Sequence, residues 1–293
     1  MRMPITNNNK NNKQMKHPLL AAAMLAMAFA SCGTRETKDT EGTEIQEIQE
    51  TKTLVLYYSL TGTTESVAQE LQKALNADME SIEMETPYTG SYEEVVKQVG
   101  KEREAGELPK LLPLNADLAQ YDTIFLGYPI WYGTYARPIS ALVAENDFQD
   151  KTIVTFCTFG SGGLEAAIQD LRKALPKAQV AETGFGIRNA RVSSTAGELN
   201  RFLVENGYIE GNVEALPDYS EMRPVTEEEK QIFDAACGNY QFPLGTPVLA
   251  GKRGTPEGVD YIYQADNNGT PSTIYVTVGN APDAKPEFTR VVR

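Results

Sequence analysis

Five short apolar runs alternate with segments whose apolar residues recur at helical spacing. The runs are residues 54–58 (LVLYY), 79–84 (MESIEM), 123–127 (TIFLG), 153–157 (IVTFC) and 180–187 (VAETGFGI). Near-continuous apolar runs of this length predict strands buried on both faces, as in a parallel sheet. The stripes between them predict the covering helices: Val67, Leu71 and Leu75, then Ile139, Leu142 and Val143. Leu164, Ile168, Leu171 and Leu175 form a third stripe, and Leu199, Phe202 and Leu203 a fourth, ending before Gly207. Residues 92–112 predict one more crossover helix with its exit loop, and no site is assigned to them. The rhythm predicts a doubly wound α/β domain over residues 53–212.

After Pro217 the composition shifts to Gly, Pro, Tyr and Thr, which places a domain boundary near residue 213. Thr226 and Glu229 spell a capping box, and Ile232, Phe233 and Ala236 share the face of the helix it would open. Alternating segments follow at 259–263, 273–278 and 288–292, with a hairpin signal at Asn268-Gly269. One helix and a meander predict a small α+β domain over residues 213–293.

The first 31 residues read differently. Arg2, Lys10, Lys13 and Lys16 precede the apolar run 19–30 (LLAAAMLAMAFA), too short to span a bilayer and shaped like a signal peptide. The run ends Phe29-Ala30-Ser31-Cys32, which resembles a bacterial lipobox. That resemblance implies cleavage before Cys32, lipidation of its thiol and a membrane-anchored protein of the cell envelope. Residues 32–52, rich in Thr and Glu and free of aromatics, read as a tether.

In doubly wound sheets ligands bind beyond the carboxyl ends of the strands, so the chemistry is sought in the loops there. After the first strand come Ser59, Leu60, Thr61, Gly62, Thr63 and Thr64, offering hydroxyls, a permissive glycine and a helix start, the groups a phosphate uses. The loop has no Lys or Arg and neither the GxxxxGK[ST] nor the GxGxxG pattern; a plain Thr-capped helix is the alternative. After the third strand, Pro129, Ile130, Trp131, Tyr132 and Gly133 set the only tryptophan of the chain beside a tyrosine, a surface suited to stacking on a ring. After the fourth, Thr158, Phe159, Gly160, Ser161, Gly162 and Gly163 allow close backbone approach to a flat ligand.

Together, YSLTGTT, LGYPIWYG and CTFGSGG resemble the flavodoxin family, especially its longer members with a P-I-W-[YW]-G second loop. The resemblance covers residues 53 to about 212. It implies a five-stranded parallel sheet of order 2-1-3-4-5 and FMN as cofactor. Ser59, Thr61, Gly62, Thr63 and Thr64 would hold the phosphate, with Leu60 between them. Residues 129–133 would flank the isoalloxazine, with Trp131 or Tyr132 stacked on it, and residues 158–163 would line its other edge. Thr63 stands where flavodoxins commonly carry Asn. The second domain resembles the cystatin-like fold, with residues 246–251 (TPVLAG) expected in its first hairpin; Pro247 stands where inhibitory cystatins carry Gln, so inhibition is not implied.

Charge and composition narrow the functions. The chain carries 27 Lys and Arg against 40 Asp and Glu, a net -13 that disfavours nucleic-acid partners. Removing residues 1–31 takes four basic residues and no acidic one, leaving -17. It also takes His17, the single histidine, and with it every imidazole-based mechanism. Cys157 and Cys237 form no CxxC pair, and Cys157 ends an apolar run where a buried thiol is expected over a disulfide. The loops contain no evident acid or base. Three readings follow: an envelope electron carrier holding FMN, an FMN-dependent NAD(P)H:quinone oxidoreductase, and an interaction lipoprotein with a vestigial flavin site.

Overall fold

A computed structural model describes residues 52–240 and 242–293. The expected signal peptide, Cys32 and the expected tether up to Thr51 lie outside the described residues. The described residues form one compact unit that contains two sheets.

The first sheet is built from β1 (Thr53–Tyr57), β2 (Asp78–Ser81), β3 (Thr123–Trp131), β4 (Thr134–Tyr135), β5 (Thr152–Phe159), β6 (Gln179–Val180) and β7 (Phe185–Arg188). Its order is β2-β1-β3-β5-β6, with β4 antiparallel on the end of β3 and β7 beside β5. The main strands run parallel. Helices α1 (Thr63–Leu75), α2 (Tyr92–Ala105), α3 (Arg137–Glu145), α4 (Leu164–Ala174) and α5 (Thr195–Glu205) cover both faces. Successive residues of β1 enter opposite cores: Leu54, Leu56 and Tyr58 pack with α2, α3 and α4, and Val55 and Tyr57 with α1 and α5. Burial on both sides is why β1, β3 and β5 read as apolar runs, whereas the edge strands β2 and β6 are only partly buried.

Two details depart from the sequence reading. The fifth strand is split, because the polar stretch between β6 and β7 leaves the ladder where Glu182 and Thr183 are exposed. The third strand does not stop at Gly127; it continues through Trp131 and folds back into β4, so Pro129 to Trp131 are strand residues.

The second sheet contains β8 (Arg223–Pro224), β9 (Thr246–Thr255), β10 (Gly258–Asn267), β11 (Thr270–Gly279) and β12 (Glu287–Val292), all antiparallel in the order β12-β11-β10-β9-β8. Helix α6 (Glu227–Cys237) packs Phe233 and Cys237 on Tyr263, Ile274, Val276 and Phe288. The capping box forms: Thr226 Oγ1 accepts from the Glu229 N–H, and the Glu229 carboxylate accepts from the Thr226 N–H. Asn268 and Gly269 take positive φ, 53° and 85°, in the β10–β11 turn. Residues 246–251 lie in β9, the first strand of the β9–β10 hairpin, at the end away from its turn. Cys157 and Cys237 are free, buried thiols.

Candidate functional site

The first loop leaves β1 and reaches Gly62, whose φ of 81° makes it the left-handed N-cap of α1. No side chain caps this helix. Helices α2 and α6, by contrast, each carry a full capping box. The first-turn N–H groups of α1 therefore keep their capacity for an outside acceptor. Around them stand hydroxyls: Thr61 Oγ1 lies 3.1 Å from Thr63 Oγ1. Buried Thr64 meets buried Thr158 hydroxyl to hydroxyl at 2.9 Å, which ties the first loop to the third. The Ser59 Oγ is buried with no hydrogen-bond partner. A buried hydroxyl without a partner is costly, about 1–3 kcal/mol, and here it sits on the loop a phosphate would occupy.

The second loop is a two-residue hairpin turn. Tyr132 and Gly133 have φ of 52° and 80° between the paired residues Trp131 and Thr134, the handedness such turns require. A tyrosine in this region is strained, by about 1–3 kcal/mol, and its side chain is held in place. Its hydroxyl donates to the Val96 carbonyl at 2.8 Å, and the Arg103 guanidinium lies 4.6 Å from its ring centre. Trp131 is half-buried, edge-on to Tyr58 (5.8 Å) and Tyr88 (5.6 Å). Tyr88 in turn donates to Glu102 at 2.6 Å. Burial, with Glu83 and Glu102 nearby, pushes the Tyr58 hydroxyl far above its ordinary range. Burial and the Glu102 bond do the same to Tyr88. Both stay neutral donors at physiological pH, and the three rings form a rigid apolar support.

The third loop begins past Phe159 and ends at Gly163, whose φ of 109° opens α4, again without a side-chain cap. Only glycine fits here, since a Cβ on Gly163 would lie 2.8 Å from Ile130 Cγ2 in the second loop.

The three loops meet at a cavity of about 620 Å³. Leu60, residues 130–133 and residues 160–163 line it. Pro129 lies behind it in β3, while Thr158 and Phe159 are buried in the sheet and do not reach it. Ser59 instead lines a smaller neighbouring cavity of about 200 Å³ with Leu60, Glu65, Glu83 and Tyr88. Leu60 joins the two. Thr61, Gly62, Thr63 and Thr64 line neither cavity; the uncapped start of α1, which carries Glu65 in its first turn, adjoins the apolar, ring-sized space through Leu60.

The family model described as flavodoxin matches residues 52–202, just over half of the chain. The chain belongs to the flavodoxin family. Among solved structures, the flavodoxin domain is similar to a candidate flavoprotein from Bacteroides uniformis at 28% identity and TM-score 0.46, covering 51% of this chain and 98% of that one. It is similar to a flavoprotein in complex with FMN from Lactobacillus acidophilus at 21% identity and TM-score 0.42, covering 50% and 99%. A flavodoxin bound to flavin mononucleotide from Fusobacterium nucleatum is 15% identical at TM-score 0.33, covering 54% and 97%. No curated protein matches the chain.

Several lining residues of the flavodoxin domain's cavity escaped the sequence reading. Val95, Val96 and Val99 reach it from α2, the segment assigned no site. Their i, i+1, i+4 spacing marks a buried helix face but cannot say whether the face meets sheet or ligand. Tyr240, Phe242 and residues 291–293 reach it from the second sheet domain, and no loop motif points to them.

Proposed function

We propose that the flavodoxin domain binds FMN and passes electrons to a partner at the cell envelope. The observation that carries this reading is the uncapped, glycine-led start of α1, with the Thr61 and Thr63 hydroxyls beside it and Leu60, just before it, lining the apolar cavity. Ser59, Thr61, Gly62, Thr63 and Thr64 would hold the phosphate through hydroxyls, main-chain amides and the helix dipole. Trp131 and Tyr132, with residues 160–163, would hold the ring. When bound, the flavin supplies the one- or two-electron chemistry, and the protein supplies position and field. The surrounding acidic charge disfavours added electrons, which lowers the potential.

The test is calorimetric titration of the purified soluble chain with FMN and with riboflavin, which lacks the phosphate. Tighter binding of FMN by at least about tenfold, or 1.4 kcal/mol, is expected of a working phosphate cradle. Equal affinities would remove the first loop from the site.

The Cys32 lipobox supports anchoring at the envelope. The helix-then-meander order supports a cystatin-like reading of the second domain, and Pro247 in place of the Gln of inhibitory cystatins speaks against an inhibitory role. A carrier should show no steady-state NAD(P)H oxidation with added quinone; turnover in that assay would favour the oxidoreductase reading.

A further inference from the structure

The second sheet domain is built against the third flavodoxin loop. The Val291 N–H donates to the Ser161 carbonyl at 2.7 Å. The approach is so close that a Cβ on Gly162 would collide with the Val291 carbonyl oxygen. Arg188, at the end of β7, donates to the carbonyls of Gly160 (2.7 Å) and Phe288 (2.9 Å), which staples the loop to β12. Arg290 pairs with Glu165 in the first turn of α4 at 3.0 Å. These contacts bring Tyr240 and Phe242 to the cavity that the three loops open.

The third loop supplies no aromatic to that cavity, because Phe159 is 3% exposed inside the sheet and only serine and glycines follow it. Tyr240 and Phe242 stand edge to face with ring centres 6.0 Å apart. Tyr240 is fixed by Phe288 at 5.1 Å and by the Arg188 guanidinium at 5.5 Å. Phe242 remains 56% exposed, as large an apolar exposure as any in the described residues, and it lies on the cavity. A single exposed aromatic is ordinary, but one at the mouth of an apolar, ring-sized space marks a binding surface.

We infer that the second domain is part of the flavin site: Tyr240 and Phe242 form an aromatic wall of the ring cavity that the flavodoxin domain lacks by itself. The inference rests on FMN binding as proposed above. It gives the second domain a role in ring contact in place of that of a spacer, and it couples any movement of β12 to the ring's surroundings.

Phe242→Ala in the full soluble chain tests it, with FMN and with lumiflavin, which keeps the ring and lacks ribityl chain and phosphate. Binding of both ligands is expected to weaken by about fivefold to tenfold, with less quenching of flavin emission, the loss of one aromatic contact. Phe242→Tyr should restore affinity and quenching, which separates ring contact from altered folding. Unchanged affinity and emission for lumiflavin in Phe242→Ala overturns the inference, whatever FMN does, and leaves the FMN reading standing. Failure of the unaltered chain to bind FMN at all overturns that reading, and this inference with it.

Discussion

Ser59 shows how one hydroxyl can report a function. Its buried Oγ has no partner among the protein groups and faces a cavity of about 200 Å³, with room for water or a ligand oxygen. Ser59→Ala is therefore expected to weaken FMN about fivefold or more with little change in the melting temperature of the flavin-free protein, a split visible by thermal unfolding and titration. A fall in both would make the hydroxyl structural. Trp131→Ala should weaken ring binding by about 1 to 3 kcal/mol, judged by the area of a buried aromatic. An unchanged affinity would move the stacking role to Tyr132. At this scale the sequence was informative because the loop residues are consecutive: hydroxyls and glycines in a row after an apolar run can be read directly. The Tyr58 and Tyr88 rings that hold Trp131 edge-on lie 73 and 43 residues away along the chain, and only packing brings them there. The same holds for Thr158, whose hydroxyl turns inward to Thr64 because β5 is buried along its whole length.

Among the elements, α6 is the clearest case of local sequence fixing local structure. Its capping box was legible because both partners are three residues apart, and Thr226→Ala should cost about 1 kcal/mol in denaturant unfolding. Arg223 could not be read in the same way; it reaches Glu229 from β8 with bonds of 2.7 and 2.9 Å. Burial alone would raise the Glu229 carboxyl, but the bonds from Arg223 and Thr226 outweigh it and hold the carboxyl below the ordinary value of 4.5. A depressed carboxyl adds stability that is whole above pH 4.5 and is lost as the pH falls through the folded-state value. Unfolding followed between pH 6 and 3 should thus show a loss in the unaltered chain that Glu229→Gln largely lacks; equal profiles would contradict this assignment. The extension of β3 was hidden for a different reason. Pro129 signals a loop, whereas the turn falls later, at Tyr132 and Gly133, with the tyrosine at positive φ and its hydroxyl held by α2.

On the scale of the whole molecule, the alternation of strands and helices disclosed the doubly wound sheet and the antiparallel sheet that follows it. It did not disclose that the second domain shares a cavity with the first, because Tyr240 and Phe242 occupy a segment with no periodic signal of its own. The acidic balance acts at this scale too: the reconstituted protein should have a midpoint potential below that of free FMN, and a higher value would contradict the field argument. The most direct measurement uses the chain's single tryptophan, which lies on the ring cavity. Titrating the soluble protein with FMN should quench Trp131 emission saturably at one flavin per chain. Emission that stays unchanged at saturating FMN would contradict the account.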